Sequence, residues 1–201
     1  MARPRTFDEN QVVQAALAQF WHAGYTATSL DDLTEATGLG RSSLYGAFTD
    51  KHTLFMRALR AYCDGSVEQW REALAEPGPA HDRLDRFVRA VALGIADDAV
   101  RRGCLLAKSA AELSATDEEV AAVTADTFRR LHALLVEAVT EARAEGALDP
   151  DTDPQLLASL LLAVLRGIEA LGKGGAGPDV VMQAAEQALA LLPRPSAVPT
   201  A

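Results

Sequence analysis

The chain has 201 residues, 49% of them hydrophobic, so it can bury a sizeable core as one domain or two small ones. Its two cysteines, Cys63 and Cys104, match no zinc or redox spacing, and a disulfide framework is not expected at this length. The formal charge is −9, but residues 1–60 hold six basic and six acidic side chains, so the negative balance falls on residues 61–201. This asymmetry fits a protein that contacts a nucleic acid at one end only.

Neither a membrane span nor a signal peptide is predicted. The longest nearly unbroken apolar stretch, residues 156–165, is shorter than the roughly 20 residues that a spanning helix needs. The basic start of the chain, Met1 to Arg5, runs into an amphipathic stretch with Asp8 and Glu9 instead of the apolar core of a signal peptide. We therefore expect a cytoplasmic protein with no membrane partner.

Apolar residues recur at helical spacing along almost the whole chain, and no strand-like alternation persists, which predicts an all-α fold. Helix starts are expected at Thr28, Thr49, Thr116 and Asp153, whose side chains can cap the helices that follow. The nine predicted helices cover residues 8–23, 29–38, 41–47, 50–75, 79–96, 101–113, 117–146, 154–173 and 179–192.

The segment from Gly24 to Phe55 has the pattern of a helix-turn-helix. Leu33, Leu39 and Leu44 occupy positions that face inward, and Gly38 supplies the turn position that favours a positive φ. Their packing leaves one face of the second helix pointing outward, as in a helix that enters a major groove. This outward face consists of Arg41, Ser42, Ser43, Tyr45 and Gly46.

Several cations occupy positions that stability alone does not favour. Arg41 and Lys51 are near helix amino termini, where the macrodipole disfavours a cation by a few tenths to about 1 kcal/mol. A bound phosphate would reverse that sign. Arg3 and Arg5 flank Pro4 in an extended arm that could reach an adjacent minor groove. Each feature alone is equally compatible with a solvated surface charge or a disordered arm, but their combination favours DNA binding.

The run from Phe20 to Phe55 resembles the signature of the tetracycline-repressor family. It has an aromatic residue and Gly-Tyr closing the first helix, Thr-Ser-Leu opening the second, Gly-Leu at the turn, and Leu-Tyr before Phe48 in the third. The resemblance implies that the following residues hold backbone phosphates: Thr28, Ser29, Ser43, Tyr45 and Lys51. It places Arg41, Ser42 and Gly46 at base edges.

The chain departs from the family pattern at two places, Thr34 and the pair Gly46-Ala47. The second departure leaves the third helix with few long side chains. We therefore expect Arg41, which can bind guanine bidentately, to carry a large share of the sequence specificity.

The resemblance also implies that the last two helices pair with those of a second copy, and that helices four to seven enclose a small molecule. The apolar band on helix eight is wider than one core stripe requires, although two core helices of a monomer would also produce it. The predicted dimer contacts are Leu157, Leu160, Leu161, Val164, Ile168, Val181, Ala184 and Ala188. The predicted lining of a largely apolar pocket is Trp70, Phe87, Val91, Cys104, Leu105, Phe128, Leu131 and His132, although aromatics at helical spacing are more often core.

No enzymatic, metal or cofactor site is predicted. The four histidines are scattered without a second ligand at helical spacing, and no nucleophile or phosphate-loop motif is present. We expect a homodimeric regulator, commonly a repressor, that binds palindromic operator DNA through residues 1–50 and senses an effector through residues 51–192, with a disordered tail at 193–201. The alternatives are a helical enzyme or ligand carrier without DNA binding, and an interaction adaptor that kept the fold but lost DNA binding.

Overall fold

The computed structural model describes residues 7–195, so the predicted arm residues Arg3 and Arg5 and most of the tail lie outside the described residues. Within residues 7–195 the chain forms nine α-helices and no strand, which confirms the predicted all-α class. The helices are α1 (Glu9–Ala23), α2 (Leu30–Thr37), α3 (Arg41–Phe48), α4 (Lys51–Leu74), α5 (Ala80–Ala96), α6 (Leu105–Leu113), α7 (Glu118–Ala144), α8 (Pro154–Gly174) and α9 (Pro178–Ala190).

The cap of α2 lies one residue later than predicted. Ser29, not Thr28, is the N-cap, because its hydroxyl accepts from the backbone N–H of Asp32 and the Asp32 carboxylate accepts from the N–H of Ser29. This reciprocal arrangement is a capping box with aspartate in the third position. The turn at Gly38 has the predicted left-handed conformation, with φ of 67°.

At two other helices, α4 and α7, the capping residue is the aspartate that follows the predicted threonine. At the start of α4 the carboxylate of Asp50 accepts from the N–H of Thr53, whereas Thr49 ends α3 with φ of 58°. At the start of α7 the carboxylate of Asp117, not Thr116, accepts from the backbone N–H groups of the first turn. Both corrections have one physical cause, since a carboxylate at a helix start gains from the macrodipole as well as from the hydrogen bond.

The predicted cap at Asp153 is confirmed, because its carboxylate accepts from the N–H groups of Gln155 and Leu156. Helix α6 begins at Leu105 and is shorter than predicted. Arg101 and Gly103 both have positive φ, 50° and 66°, which no α-helix accommodates.

The helices form two compact units, and α4 and α7 each run from one unit into the other. Of the described residues, the first unit comprises 7–65 and Cys104–Thr124, and therefore contains α1 to α3 together with α6. In its core the ring of Phe20, which is fully buried, meets Phe55 edge-on with centroids 5.1 Å apart. The predicted inward positions Leu33 and Leu44 are buried in it.

The second unit comprises Ser66–Gly103 and, up to the last described residue, 125–195. Its helices α5, α8 and α9 pack against one another. Leu84, Leu165 and Ala185 are fully buried there. The predicted boundary at residue 50 between DNA binding and effector sensing remains a prediction. The first unit extends past that residue and includes α6.

Helix α8 is apolar enough, and long enough at 21 residues, to cross a membrane by composition alone, with mean hydropathy 1.5. The unbroken apolar stretch within it, residues 156–165, is shorter than a membrane span, which is why no span was predicted. Only 28% of its most apolar window is buried within the chain. The helix packs on α5 and α9, and the apolar surface that stays exposed requires an explanation.

Candidate DNA-binding and sensor sites

Helix α3 presents the predicted polar face to solvent. Leu44 and Phe48 are buried on its inner side and tie the short helix to the core. Around them the outer side is open, and a Cβ placed on Gly46 would meet no atom within 4 Å. All five predicted outward residues are exposed, namely Arg41, Ser42, Ser43, Tyr45 and Gly46.

Arg41 is not free on this face. Its Nη2 donates to the carboxylate of Asp31 on α2 at 2.6 Å, and both side chains are mostly exposed. Asp31 raises the pKa of the guanidinium by this hydrogen bond and by its charge. Asp31 therefore occupies one of the five N–H donors of the guanidinium, an interaction that sequence reasoning did not anticipate.

Two residues predicted to hold phosphates have structural roles in α2. Thr28, which the resemblance placed at a phosphate, is buried, and its hydroxyl donates to the backbone oxygen of Gly24 at 2.6 Å. Ser29 is exposed, but its hydroxyl is already shared between the N–H of Asp32 and the carboxylate of Asp32. That carboxylate has a lowered pKa because it accepts from both the hydroxyl and the N–H of Ser29.

Lys51 lies at the first turn of α4 and is partly buried. Its ammonium is 4.3 Å from the centre of the Tyr25 ring, a cation–π contact. Burial lowers the pKa of Lys51, and the charges of Glu112 and Asp32 oppose that shift. The ammonium of Lys51 therefore rests against an aromatic ring of the α1–α2 turn, which we define as residues 24–29.

We define the reading head as α1 to α3 together with the first turn of α4. The start of α7 also contacts this reading head. The Nε2 of His52, in the first turn of α4, is 2.7 Å from the Asp117 carboxylate that caps α7. The N–H of Val120 is the largest influence that lowers the pKa of Asp117, and His52 adds to it against the effect of burial. Arg60 forms a more exposed ion pair with Glu119 at 2.8 Å. Sequence reasoning missed these contacts because 59 to 65 residues separate the partners.

Of the predicted pocket residues, Trp70 and Phe87 are brought together in the second unit. Their rings meet edge-on with centroids 4.8 Å apart, and the Arg166 guanidinium lies 5.2 Å from the Trp70 ring. The Nε2 of His132, the polar member of the predicted set, lies 3.0 Å from the hydroxyl of Ser159. The exposure of the remaining members differs: Cys104, Leu105 and Leu131 are buried, and Val91 and Phe128 are half-buried.

A cleft of about 160 Å³ lies in the second unit at a place that the sequence analysis did not predict. It is lined by the end of α5, by Arg101, and by the glycine-rich connection between α8 and α9. None of the eight predicted pocket residues lines it.

The predicted dimer residues divide into inward and outward sets. Leu157, Leu161, Ile168 and Val181 are buried within the second unit, so they are core positions, contrary to the prediction. Val164, Ala184 and Ala188 are half-buried. Leu160 is 59% exposed, and Leu156, which was not predicted, is 71% exposed on the same side of α8. The prediction failed because helical spacing identifies an apolar band without saying which edge of it faces the core.

No group of three or more histidine, cysteine or acidic side chains within residues 7–195 could hold a metal ion. Cys63 and Cys104 are buried, and neither forms a disulfide bond. The Sγ of Cys104 is 3.7 Å from the hydroxyl of Tyr62.

Family models match both parts of the chain. The model of the tetR family of bacterial regulatory proteins matches residues 12–58, and that of the tetracyclin repressor-like C-terminal domain matches residues 80–188. The chain belongs to the tetracycline-repressor family. It is therefore a DNA-binding transcriptional regulator with a helix-turn-helix head, as the sequence resemblance predicted.

Relatives and solved structures agree over nearly the full length. The HTH-type transcriptional repressor ComR of Escherichia coli (strain K12) is 30% identical over 196 residues, covering 95% of this chain and 91% of the relative. A cysteine mutant of the TetR family regulator CifR, complexed with 26-bp double-strand operator DNA, is 30% identical, with a TM-score of 0.82 over 96% of this chain and 100% of its own. Reduced NemR of Escherichia coli shares the fold at 20% identity, with a TM-score of 0.83 over 94% and 98% of the two chains.

Proposed function

We propose that this regulator is a cytoplasmic, ligand-responsive repressor without enzymatic activity, which binds a palindromic operator as a homodimer and releases it when a small, largely apolar molecule binds. The observation that carries the proposal is the exposed polar face of α3, whose two buried anchors leave its other side chains available to a groove. The relative ComR is named a repressor, and the similar CifR structure contains operator DNA.

Arg41 is the residue that we assign to base reading. It is the longest side chain on the outward face of α3, and it is held near the start of that helix by Asp31. An arginine can donate two parallel hydrogen bonds to a guanine edge in the major groove. Ser43, Tyr45 and Lys51 are assigned to phosphates. Ser42 and Gly46 are close enough along α3 to face the bases beside Arg41.

A second copy of the chain is the occupant that we assign to the outward side of α8. Leu156 and Leu160 lie there one turn apart, and Ala163, Gly167 and Leu171 continue the exposed stripe at helical spacing. Small residues in such a stripe allow close helix approach. Exposed apolar surface of this extent on a long helix is typical of an interface between subunits. The high mean hydropathy of α8 has the same explanation.

The second unit is the site that we assign to effector binding. The Trp70–Phe87 pair offers apolar surface, and Arg166 and His132 offer polar groups that could orient a small molecule. Helix α4 runs without a break from Lys51 to Leu74, so a displacement at Trp70 would be transmitted along it. Coupling of about 1 to 3 kcal/mol would make an adequate switch.

The experiment is in vitro selection of duplexes by the purified full-length chain, followed by footprinting on the enriched sequence. The expected result is a palindrome whose half-sites are centred about 34 Å apart or somewhat more, with loss of specificity in Arg41→Ala. A library of small apolar molecules is then screened for release of the labelled duplex. Enrichment of no sequence at low salt, or of a sequence without internal symmetry, would contradict the proposal.

A further inference from the structure

Helix α6 interacts with the end of α1 through a lysine. The ammonium of Lys108 donates to the backbone oxygens of Trp21 at 2.7 Å and His22 at 3.0 Å. These two carbonyls lie in the last turn of α1, where backbone acceptors lack partners within the helix. A cation at this end also matches the sign of the macrodipole.

One turn further along α6, Glu112 interacts with the amides that follow α1. Its carboxylate accepts from the backbone N–H of Thr26 at 2.6 Å and of Tyr25 at 3.2 Å. These hydrogen bonds hold the pKa of Glu112 below its usual value, although burial acts in the opposite direction. Gly24 has φ of 90°, a conformation that residues with a side chain rarely adopt, and a Cβ there would lie 3.0 Å from a carboxylate oxygen of Glu112.

These four backbone groups, two N–H donors and two carbonyl acceptors, would form two hydrogen bonds with each other if α1 continued by one more turn. In an α-helix the N–H of Tyr25 would bond to the oxygen of Trp21, and the N–H of Thr26 to the oxygen of His22. Lys108 takes both acceptors and Glu112 takes both donors. The two side chains therefore satisfy the groups that become available where α1 stops. We call this arrangement the α6 clasp.

The α6 clasp acts on a residue that contacts a DNA-binding side chain. Tyr25 donates its N–H to Glu112, and its ring lies 4.3 Å from the ammonium of Lys51. The same ring packs against Phe55 with centroids 4.8 Å apart. The backbone position of Tyr25 therefore determines where the ring that contacts Lys51 lies. The α6 clasp and the reading head belong to one compact unit.

We propose that Lys108 and Glu112 are positioning residues for DNA binding. They hold the α1–α2 turn so that the ring of Tyr25 keeps the ammonium of Lys51 in position to contact a phosphate. This inference rests on the phosphate role assigned to Lys51 under the proposed function. Neither residue touches DNA in this scheme. Both act through the backbone of residues 21–26.

The test measures operator binding at several salt concentrations, using the duplex that in vitro selection enriches. The variants are Glu112→Ala, Lys108→Met and their combination, with Lys51→Met as the reference for loss of one phosphate contact. Glu112→Ala should lower affinity about tenfold. It should also lower the slope of log affinity against log salt by about 0.9, as the loss of one phosphate contact does in Lys51→Met. The double variant should be little worse than either single variant, because either one opens the α6 clasp.

Amide hydrogen exchange gives a readout that does not depend on DNA. The amides of Tyr25 and Thr26 should exchange faster in Glu112→Ala, and Glu112→Gln, which keeps one acceptor oxygen, should restore part of the protection. The control is Glu119→Gln, which breaks the Arg60 ion pair in the same unit without touching the α1–α2 turn. It should change neither the salt slope nor these exchange rates.

The results distinguish the two levels of the proposal. Faster exchange in Glu112→Ala with an unchanged salt slope would overturn the positioning role, because the α6 clasp would then serve stability alone. Wild-type protein that selects no duplex would overturn the proposed function and, with it, this inference. A normal slope in Lys51→Met together with specific selection would remove only the assignment of Lys51, and the inference that depends on it.

Discussion

The guanidinium of Arg41 and the carboxylate of Asp31 are 2.6 Å apart, joining the start of α3 to the first turn of α2. Both partners are exposed, so the pair adds little to stability. Its larger effect concerns DNA binding. In the base-reading role proposed for Arg41, Asp31 orients the guanidinium and occupies one of its N–H donors. It also places a negative charge close to the phosphates that the head must approach.

The first prediction separates these effects. Arg41→Ala should weaken binding to the selected operator by about 1 to 3 kcal/mol and relax specificity at one base position. Asp31→Asn should strengthen binding to unrelated duplexes, because it removes one charge that repels phosphate and releases Arg41. Fluorescence anisotropy with matched and random duplexes measures both. Stronger binding of Arg41→Ala to its operator would contradict the assignment.

The second prediction concerns the salt dependence of binding. Lys51→Met should lower the slope of log affinity against log salt by about 0.9 and weaken binding to all sequences alike. Lys173→Met is the matched control. Its ammonium lies 3.3 Å from the backbone oxygen of Arg102 in the second unit, where no DNA contact is proposed. Equal slopes in the two variants would show that Lys51 neutralises no phosphate.

The reading head illustrates how much the sequence determines. The identities of Leu33, Gly38 and Leu44 were sufficient to predict the helix-turn-helix, because burial and turn geometry depend on residue type at short spacing. The outward face of α3 follows from the same pattern. Partners distant in the chain could not be predicted. Glu112 reaches Thr26 across 86 residues, and nothing in the local sequence of either one indicates the other.

Errors in the caps and the dimer face have physical causes of different kinds. Adjacent polar residues such as Thr28 and Ser29 both have hydroxyls that can cap a helix, so the backbone geometry alone decides which one does. On α8, apolar residues surround much of the helix, and Leu157 and Leu160 differ only in the direction they face. A hydrophobic pattern wider than one stripe cannot distinguish the core edge from the pairing edge.

The third prediction tests the capping box of α2. Ser29→Ala should lower the free energy of unfolding by about 1 kcal/mol, because the first turn loses a hydrogen-bond acceptor and Asp32 loses a donor. Ser42→Ala, an exposed serine on α3, should change stability by less than about 0.5 kcal/mol. Urea unfolding followed by circular dichroism measures both. Equal stability of the two variants would mean that α2 does not depend on its cap.

The fourth prediction concerns pairing through α8. Leu160→Glu should convert a dimer into a monomer, because a carboxylate would be buried where two copies of the apolar stripe meet. Leu93→Glu is the control, since Leu93 on α5 is similarly exposed, at 53% against 59%. Sedimentation velocity measures the mass, and operator affinity should fall by about 100-fold when the two heads are no longer linked. A Leu160→Glu variant that remains dimeric would place the interface elsewhere.

The last prediction uses the pH dependence of the Asp117 cap. The pKa of Asp117 is lowered in the folded chain, first by the N–H of Val120 and further by His52 against the effect of burial. A lowered folded pKa means that the contribution of Asp117 is complete above its ordinary value of 3.8. It is lost as the pH falls through the lower folded value. Asp117→Asn keeps an N-cap acceptor but has no charge to lose.

Wild-type protein should therefore be more stable than Asp117→Asn by about 1 kcal/mol at pH 7 and pH 5, as expected for a carboxylate at a helix start. The difference should shrink below about pH 4, where the carboxylate becomes protonated. Urea unfolding at pH 7, 5, 4 and 3 gives the four values. A second comparison, Asp151→Asn, controls for loss of an exposed carboxylate outside any helix. A wild-type advantage that stays constant down to pH 3 would mean that the charge of Asp117 contributes nothing, and that the cap works through hydrogen bonding alone.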